Sequence, residues 1–362
     1  MAEAGYTPDP SRCLCLTMEL DLGTQSPLRD VDQASLTDAE NIVCKTIGTV
    51  KEGDLKVETH QLPGADFSSA HSASETSSWW DKPLVVQLFF SADQTKVFVR
   101  TMLSLEVVDG VGALHATFNV VEYLENRGKG LKPEEYLSVP RFKSANKPIG
   151  FDPEKMAAHE KRLEGYSASF DASRKEANGK LPVGPPRCSD EEHLKPRVWT
   201  RWSDVTTPFK EFMGIAAEVQ KRLEFEYIFY TVNYSPGVGM GVLPGVMDTL
   251  DHQKRTEGVF TPVGPPLPMN TAHAENLSYG MLWNNYGRHE PKFSAQVKGL
   301  VWNWTGMPKS FVPSFHCATI QGKSFVSSTF AEQDQRACAE LLDKIGGRRE
   351  VFTECPRPLP TR

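Results

Sequence analysis

Three short patterns occur twice in this chain, in the same order along the sequence. The first has the form F-x-x-V-x-Y followed by G-x-G and a proline, and it begins at Phe118 and again at Phe229. Two further patterns, H-x-K-R-x-E-G and PVGPP, recur in the same way, at His159 and His252 and at 182–186 and 262–266. Because both copies keep one order, the sequence predicts a duplicated unit and two pseudo-symmetric halves.

The spacing of apolar residues predicts mostly strands. Apolar and polar residues alternate at 14–22 and again at 97–107, and the second of these segments lies between apolar runs at 84–90 and 116–124, which suggests a three-stranded meander. A helix facing the core is predicted at 209–223 from apolar residues at i, i+3, i+4 and i+7. We therefore expect an α+β fold that is rich in β-structure, with antiparallel sheets in two pseudo-symmetric repeat halves and a few peripheral helices.

The repeats and the shifts in composition divide the chain into four segments. Residues 1–78 form an acidic strand-helix-strand segment with a linker, 79–186 the first repeat half, and 187–305 the second repeat half. Residues 306–362 supply the last strands, a helix and a proline-rich strap.

Charge and cysteine content restrict the partners and the compartment. The net charge is −6, and no basic cluster of the kind that binds nucleic acid is present, so we expect no nucleic-acid partner. No apolar run has the length of a membrane span, and the chain starts without the basic and apolar regions of a secretory signal. The seven scattered cysteines fit reduced thiols, which predicts an intracellular, reducing compartment such as the cytoplasm.

Four glycines of the first repeated pattern are expected to hold tight turns: Gly128 and Gly130 in the first copy, Gly239 and Gly241 in the second. The second copy also resembles a phosphate-binding loop, since it follows a predicted strand. The third glycine of a dinucleotide fingerprint is missing, because Val242 stands in its place. A turn is therefore the preferred interpretation.

Catalytic motifs are absent, and we expect no catalytic residue and no cofactor. One alternative is a non-haem metal site, because His273, Glu275 and His316 have the composition of a two-histidine, one-carboxylate ligand set. Such a triple arises by accident in a chain with nine histidines, so it stays the minor alternative. Cys13 and Cys15 alternate with leucines and are expected to be exposed thiols on the polar face of the first strand.

Four tryptophans are candidate contact residues for self-association: Trp199, Trp202, Trp302 and Trp304. Large aromatic rings frequently anchor interfaces between proteins. Packing inside the core of the chain is the competing explanation for the same residues.

The paired F-x-x-V-x-Y and PVGPP segments, spread over residues 80–305, resemble the two related regions of algal pyrenoid shell proteins. That resemblance implies a non-catalytic structural protein that associates with itself into a sheet, tube or shell in the chloroplast stroma. Two alternatives remain at this point. One is a small-molecule enzyme or binding protein with a pocket between the two halves, and the other is a viral capsid subunit.

Overall fold

A computed structural model describes residues 13–24, 26–47, 52–62, 66–67, 70, 82–104, 110–141, 197–223, 227–232, 259–260, 280–304 and 314–354. The strands in these ranges are β1 (Cys13–Asp21), β2 (Leu55–Gln61), β3 (Leu84–Phe90), β4 (Lys96–Ser104), β5 (Arg197–Ser203), β6 (Tyr227–Val232), β7 (Val259–Phe260), β8 (Gly280–His289), β9 (Gln296–Trp304), β10 (Ser314–Ile320), β11 (Lys323–Ala331) and β12 (Arg348–Glu354). The helices are α1 (Gln33–Ile47), α2 (Gly110–Asn126), α3 (Pro133–Tyr136), α4 (Phe209–Arg222), α5 (Glu332–Ala337) and α6 (Ala339–Leu342), with 3-10 turns at Pro27–Asp30 and Asp343–Ile345.

The strands form two sheets, and this confirms the predicted α+β fold with two related halves. The five-stranded sheet has the order β2-β3-β4-β1-β9, and the seven-stranded sheet has the order β12-β5-β11-β10-β8-β6-β7. Each half begins with a strand, a helix and a second strand, namely β1-α1-β2 and β5-α4-β6. The next long strand then pairs in parallel with the second strand, β3 with β2 and β8 with β6. The helix predicted at 209–223 is α4.

Strand β9 links the two sheets. It follows β8, which belongs to the seven-stranded sheet, but it pairs with β1 at the edge of the five-stranded sheet. Leu16 of β1 lies opposite Trp302 of β9 in this antiparallel pair. Helices α1 and α2 pack on the same face of the five-stranded sheet, where Leu16 and Leu20 belong to the largest hydrophobic core. We call this sheet with α1 and α2 the first lobe, and the seven-stranded sheet with α4, α5 and α6 the second lobe.

The opposite face of β1 is buried as well, which corrects one sequence-based expectation. Cys15, predicted to be an exposed thiol, has no solvent exposure, and the Nε of Arg100 donates to its sulfur at 3.2 Å. Phe67 and Ala70 pack in the small core on this face. The alternation correctly gave the strand, but polar residues on one face do not guarantee solvent when a second layer covers them. The side chain of Cys13 lies outside the described residues.

The third strand of the predicted meander is wrong, because Phe118 and its neighbours belong to helix α2. Almost every residue of this helix is buried, so the helix has no polar face that would reveal a period of 3.6. In the second copy of the pattern, Phe229 lies in strand β6. The two copies are therefore not structurally equivalent, and the structural repeat is the strand-helix-strand unit.

No helix within the described parts of the chain has both the length and the apolar character needed to cross a lipid bilayer.

Candidate functional site

The start of α2 is the point at which the first lobe meets β8 of the second lobe. Strand β4 ends at Ser104, and α2 begins at Gly110 over the same sheet, with the hydroxyls of Thr101 and Thr117 only 2.6 Å apart. A Cβ atom on Gly110 would lie 2.6 Å from Cε1 of Tyr286 in β8. Only glycine therefore lets the tyrosine ring touch the first turn of α2, where helical N–H groups lack intrahelical acceptors.

Four polar side chains form a cluster at this place, which we call the polar cluster: Asn284, Tyr286, Ser314 and His316. The amide nitrogen of Asn284 and the hydroxyl of Tyr286 each lie 3.2 Å from Nδ1 of His316. The hydroxyl of Ser314 lies 3.2 Å from Nε2 of the same ring. Residues 284 and 286 are on one face of β8, and residues 314 and 316 are on the adjacent parallel strand β10.

The imidazole of His316 is neutral at physiological pH. Burial lowers its pKa to about 3, because the charged form cannot be solvated there. The partners assign the tautomer: Asn284 and Tyr286 are donors toward Nδ1, so Nε2 carries the hydrogen and donates to Ser314. The polar cluster therefore offers hydrogen bonds without a formal charge.

Aromatic rings form the wall beside the polar cluster. The ring of Tyr286 stacks on Trp302 of β9, with centroids 4.0 Å apart and an interplanar angle of 17°. The backbone N–H of Trp302 donates to the hydroxyl of Ser327 at 3.3 Å, which fixes β9 against β11. The indole Nε1 of Trp302 is buried and has no hydrogen-bond partner among the described residues. Tyr286 thus touches α2, β9 and β10 at once.

Two further histidines lie next to the polar cluster. The rings of His115 in α2 and His289 at the end of β8 have centroids 4.9 Å apart in an edge-to-face arrangement. Nε2 of His289 donates to the backbone carbonyl of Tyr286 at 2.6 Å. Burial, and to a smaller extent His289, lower the pKa of His115 to about 3. Burial also lowers the pKa of His289, although its bond to the Tyr286 carbonyl opposes this.

Two buried carboxylates hold the rest of α2 against the segment between β8 and β9. Glu122 accepts hydrogen bonds from the backbone N–H of Lys292 and of Ser138, each at 2.6 Å. Glu125 accepts from the N–H of Ser294 at 2.6 Å and from the N–H of Ala295 at 3.1 Å. Burial raises the pKa of Glu122 despite these hydrogen bonds. The helix is thus bound along its length to the chain that crosses between the sheets.

The residues at this junction suit binding of an uncharged ligand or stabilisation of a developing negative oxygen. The helix N-terminus can supply hydrogen-bond donors, and the hydroxyl oxygen of Tyr286, whose hydrogen is directed at His316, can accept one from a ligand hydroxyl. A neutral imidazole with a pKa of about 3 is a weak base, so His316 is suited to hydrogen bonding and not to removing a proton at pH 7. In the part of the chain that the structure describes, no group of three or more metal-ligating side chains is found.

The predicted turn glycines are described only in the first copy. Gly128 and Gly130 have φ angles of 76° and 68°, in the left-handed region that glycine adopts most readily. They follow the end of α2, away from the polar cluster. Gly239 and Gly241 lie outside the described residues, so their turns stay a prediction.

The structure places three of the four candidate interface tryptophans in the interior of the chain. Trp199, Trp202 and Trp302 are each about 1% exposed, so they pack in the interior of this chain, while the side chain of Trp304 is outside the described residues. Their role in an interface stays a prediction.

His273 and Glu275 also lie outside the described residues. The third residue of that set, His316, uses both ring nitrogens for hydrogen bonds to side chains of the polar cluster.

Sequence reasoning found His316 but missed Asn284, Tyr286 and Gly110. Tyr286 and His316 are thirty positions apart, and they meet only because β8 and β10 pair in parallel. The available signal was weak: residues 284 and 286 share one face of a strand. Gly110 lies between the segments 97–107 and 116–124, which were both predicted as strands, so its place at the start of a helix was missed.

Comparisons with known proteins add the fold class. No protein-family model and no curated protein sequence matches the chain. Among solved structures, SgcC5 from Streptomyces globisporus, crystallised with (R)-(-)-1-(2-naphthyl)-1,2-ethanediol and sucrose, matches with a TM-score of 0.53 and 12% identity over 95% of this chain and 93% of SgcC5. VibH, described as an NRPS condensation enzyme, matches with a TM-score of 0.49 and 13% identity over 94% of this chain and 90% of VibH. The condensation domain of the polyketide synthase MokA matches with a TM-score of 0.45 and 11% identity, over 93% and 91% of the two chains.

The chain therefore shares its two-lobed fold with SgcC5. The comparisons contradict the prediction of a structural protein that builds a sheet, tube or shell, because the chain has the fold of SgcC5 over most of both chains. The resemblance to pyrenoid shell proteins, and the chloroplast location that it implied, have no support from the comparisons. The same holds for the alternative of a viral capsid subunit. The resemblance rested on paired patterns that form a helix in one half and a strand in the other.

Proposed function

We propose that this chain is a small-molecule enzyme of the condensation type, which binds an uncharged, hydroxyl-bearing acceptor between its lobes and acylates it. The observation that carries the proposal is the position of Tyr286, whose hydroxyl is bonded to the neutral His316 and whose ring lies against the first turn of α2. Donors at a helix N-terminus stabilise the oxyanion that forms when an acyl carbonyl is attacked.

The character of the polar cluster supports an uncharged acceptor. Its described members carry no formal charge at pH 7, and the stacked rings of Tyr286 and Trp302 favour an aromatic or apolar group beside the hydroxyl. In the proposed reaction the acyl donor is a thioester. The acceptor oxygen forms a bond to the acyl carbon of this donor while the bond from that carbon to sulfur breaks. The acceptor's proton leaves with the thiol, so no oxidant or reductant is required.

Binding is tested first with the compound bound by SgcC5. (R)-(-)-1-(2-naphthyl)-1,2-ethanediol is titrated into the full chain by calorimetry, with Tyr286→Phe as the diagnostic variant. Phenylalanine keeps the stacking on Trp302 and removes only the hydroxyl. We expect saturable binding that weakens about fivefold to tenfold in the variant, the effect of one hydrogen bond.

Tyr123→Phe is the matched control, because the Tyr123 hydroxyl bonds to Asp38 at 3.4 Å near the other end of α2. This variant should bind the diol as the parent does. Turnover is tested by mixing the diol with an acetyl thioester and measuring the ester by mass spectrometry and the released thiol by colorimetry. Binding without ester formation, over a series of acyl lengths, would leave a binding protein and reject the enzyme.

Three expectations from the sequence stay proposals beside this one. They are homo-oligomer formation, the absence of a nucleic-acid partner and an intracellular, reducing location. Light scattering of the purified chain over a range of concentrations tests the first, and gel-shift assays with duplex and single-stranded nucleic acid test the second.

A further inference from the structure

His115 and His289 bring two titratable rings together at the contact between the lobes. His115 belongs to α2 of the first lobe, and His289 ends β8 of the second lobe. Their rings are edge-to-face at 4.9 Å, and both also contact Phe118, with centroid distances of 5.5 and 6.1 Å. We call this contact the histidine joint. Nδ1 of His115 is buried without a hydrogen-bond partner among the described residues.

The histidine joint is mechanically connected to the polar cluster. Nε2 of His289 donates a hydrogen bond to the backbone carbonyl of Tyr286, and the hydroxyl of the same tyrosine donates to Nδ1 of His316. The ring of Tyr286 in turn lies against Gly110 at the start of α2. A change that separates His115 from His289 therefore moves α2 away from the strand that carries the polar cluster.

Within the described residues, no charged group compensates a proton placed on the histidine joint. The only titratable group that acts on His115 is His289, and the other group acting on His289 is the Tyr286 carbonyl. The charged side chains named below, on α2 and on the elements around it, are bonded to other groups. On α2, Glu122 bonds to Ser138 and Lys292, and Glu125 bonds to Ser294 and Ala295. Directly after α2, Arg127 bonds to the carbonyls of Pro27 and Asp30, and on β8 Arg288 bonds to Glu290. On α1 and α3, Asp38 bonds to Tyr123, Glu40 to the N–H of Val57, and Glu135 to the N–H of Lys132. On β1 and β4, Glu19 and Arg100 bond to Lys96, Arg201 and Cys15 on the sheet face opposite α2.

We propose that the histidine joint is a proton-sensitive latch, which keeps α2 on β8 at neutral pH and releases it when the two imidazoles are protonated. Two imidazolium ions at this distance repel each other, and neither can be hydrated while the joint is closed. Protonation therefore requires opening. The latch is a property of the joint and holds whatever ligand the polar cluster binds.

The size of the effect follows from linkage. A histidine that is released into water regains a pKa near 6.5, while the closed state of His115 stays neutral down to about pH 3. Lowering the pH from 7.5 to 5.0 therefore favours the open state about 30-fold through His115 alone.

Hydrogen exchange followed by mass spectrometry tests the latch on the full chain. Exchange is measured at pH 7.5 and pH 5.0 and corrected for the intrinsic rate of the amides at each pH. We expect peptides from 110–126 and 280–295 to show an opening equilibrium at least about 30-fold larger at pH 5.0, because the lowered pKa of His289 adds to the contribution of His115. Peptides from β5 and β11, in the interior of the seven-stranded sheet, should keep their protection.

His115→Phe removes one titrating ring but keeps an aromatic side chain against Phe118. His289→Gln removes the other ring and keeps an N–H for the carbonyl of Tyr286. His115→Phe should lower the rise in exchange at pH 5.0 at least about fivefold, because it removes the contribution of His115. His289→Gln should lower the rise from its value in the parent to the roughly 30-fold contribution of His115 alone. His60→Gln is the matched control, since His60 lies partly exposed beside Glu58 on β2, and it should leave the rise unchanged.

A rise that is identical in the parent and in both variants would overturn the latch and would point to His316. No rise in the parent, or a rise shared equally by every strand, would overturn it too, because the second result is global acid unfolding. If His115→Phe fails to fold, His289→Gln carries the test.

Discussion

Arg201 of β5 donates from Nη2 to Oε2 of Glu19 on β1 at 2.6 Å, and this ion pair joins the two sheets. Both side chains are buried, with 4% and 2% exposure. Gly299 of β9 makes room for the guanidinium, because a Cβ there would collide with Nη1 of Arg201. The guanidinium also lies 4.0 Å above the ring of Phe67 and bonds to Glu350. A single arginine therefore holds β1, β5 and β12 together.

Arg201→Met should destabilise the chain by about 3–5 kcal/mol, because it leaves the buried carboxylate of Glu19 without its partner. Urea unfolding followed by tryptophan fluorescence measures the loss. The double variant with Glu19→Gln should lose less than the sum of the two single losses. Arg222→Met is the control: its ion pair with Glu340 is exposed, and its removal should cost less than about 1 kcal/mol. Equal losses at both arginines would contradict the importance of the buried pair.

The ion pair also gives a pH dependence. Burial raises the pKa of Glu19, but the charge of Arg201 and the hydrogen bonds from Lys96 and Arg201 outweigh it, so the net pKa is lowered. A lowered pKa in the folded state adds stability above the unfolded value near 4.5, and this stability is lost as the pH falls through the folded pKa. The difference in unfolding free energy between the parent and Glu19→Gln should therefore be constant from pH 7 to 5 and shrink below pH 4.5. A difference that grows on acidification would reverse the sign and reject this account.

Gly110→Ala should weaken binding of the naphthyl diol at least tenfold, because the new methyl group displaces the ring of Tyr286. It should also lower stability by about 1–3 kcal/mol, the usual cost of overpacking. Calorimetric titration and urea unfolding measure the two effects.

Gly214→Ala is the matched control for this substitution. Gly214 is exposed in α4 with no heavy atom near its Cβ position, so alanine should leave binding unchanged and stabilise the chain by about 0.5–1 kcal/mol. If Gly110→Ala binds the diol as the parent does, the tyrosine contact has no role in recognition.

Glu125→Gln should loosen the segment that joins β8 to β9. One acceptor oxygen is lost, and the new amide group faces backbone N–H donors at Ser294 or Ala295. We expect a loss of about 1–3 kcal/mol together with faster exchange of the amides at 292–295. Glu332→Gln, at an exposed carboxylate paired with Arg336, should change neither quantity by a measurable amount.

The local pattern of the chain was sufficient for several elements and failed for others. Strand β4 and helix α4 were predicted because apolar residues recur along each at the period of its element, every second position in the strand and i, i+3, i+4 and i+7 in the helix. Helix α2 was misread because burial on all sides removes the polar stripe that distinguishes a helix from a strand. The two-halves prediction was right as architecture, but its motifs were not equivalent: Phe118 is helical and Phe229 lies in a strand.

The candidate site was beyond sequence reasoning because pairing between strands creates it. Asn284 and His316 become neighbours only through the parallel register of β8 and β10. Tyr286 reaches Trp302 because β9 follows β8 in the chain but pairs with β1 of the other sheet. Nothing in the spacing of these residues along the chain encodes that exchange.

The crossover of β9 sets the order of events during synthesis. Four strands of the five-stranded sheet are complete by Ser104, but the fifth ends at Trp304. At about 5–20 residues per second, the ribosome needs roughly 10–40 s to deliver the missing strand. Throughout that interval the edge of β1 is a template for any extended segment of a neighbouring nascent chain. Chaperone protection of the first lobe is therefore most valuable between these two points of translation.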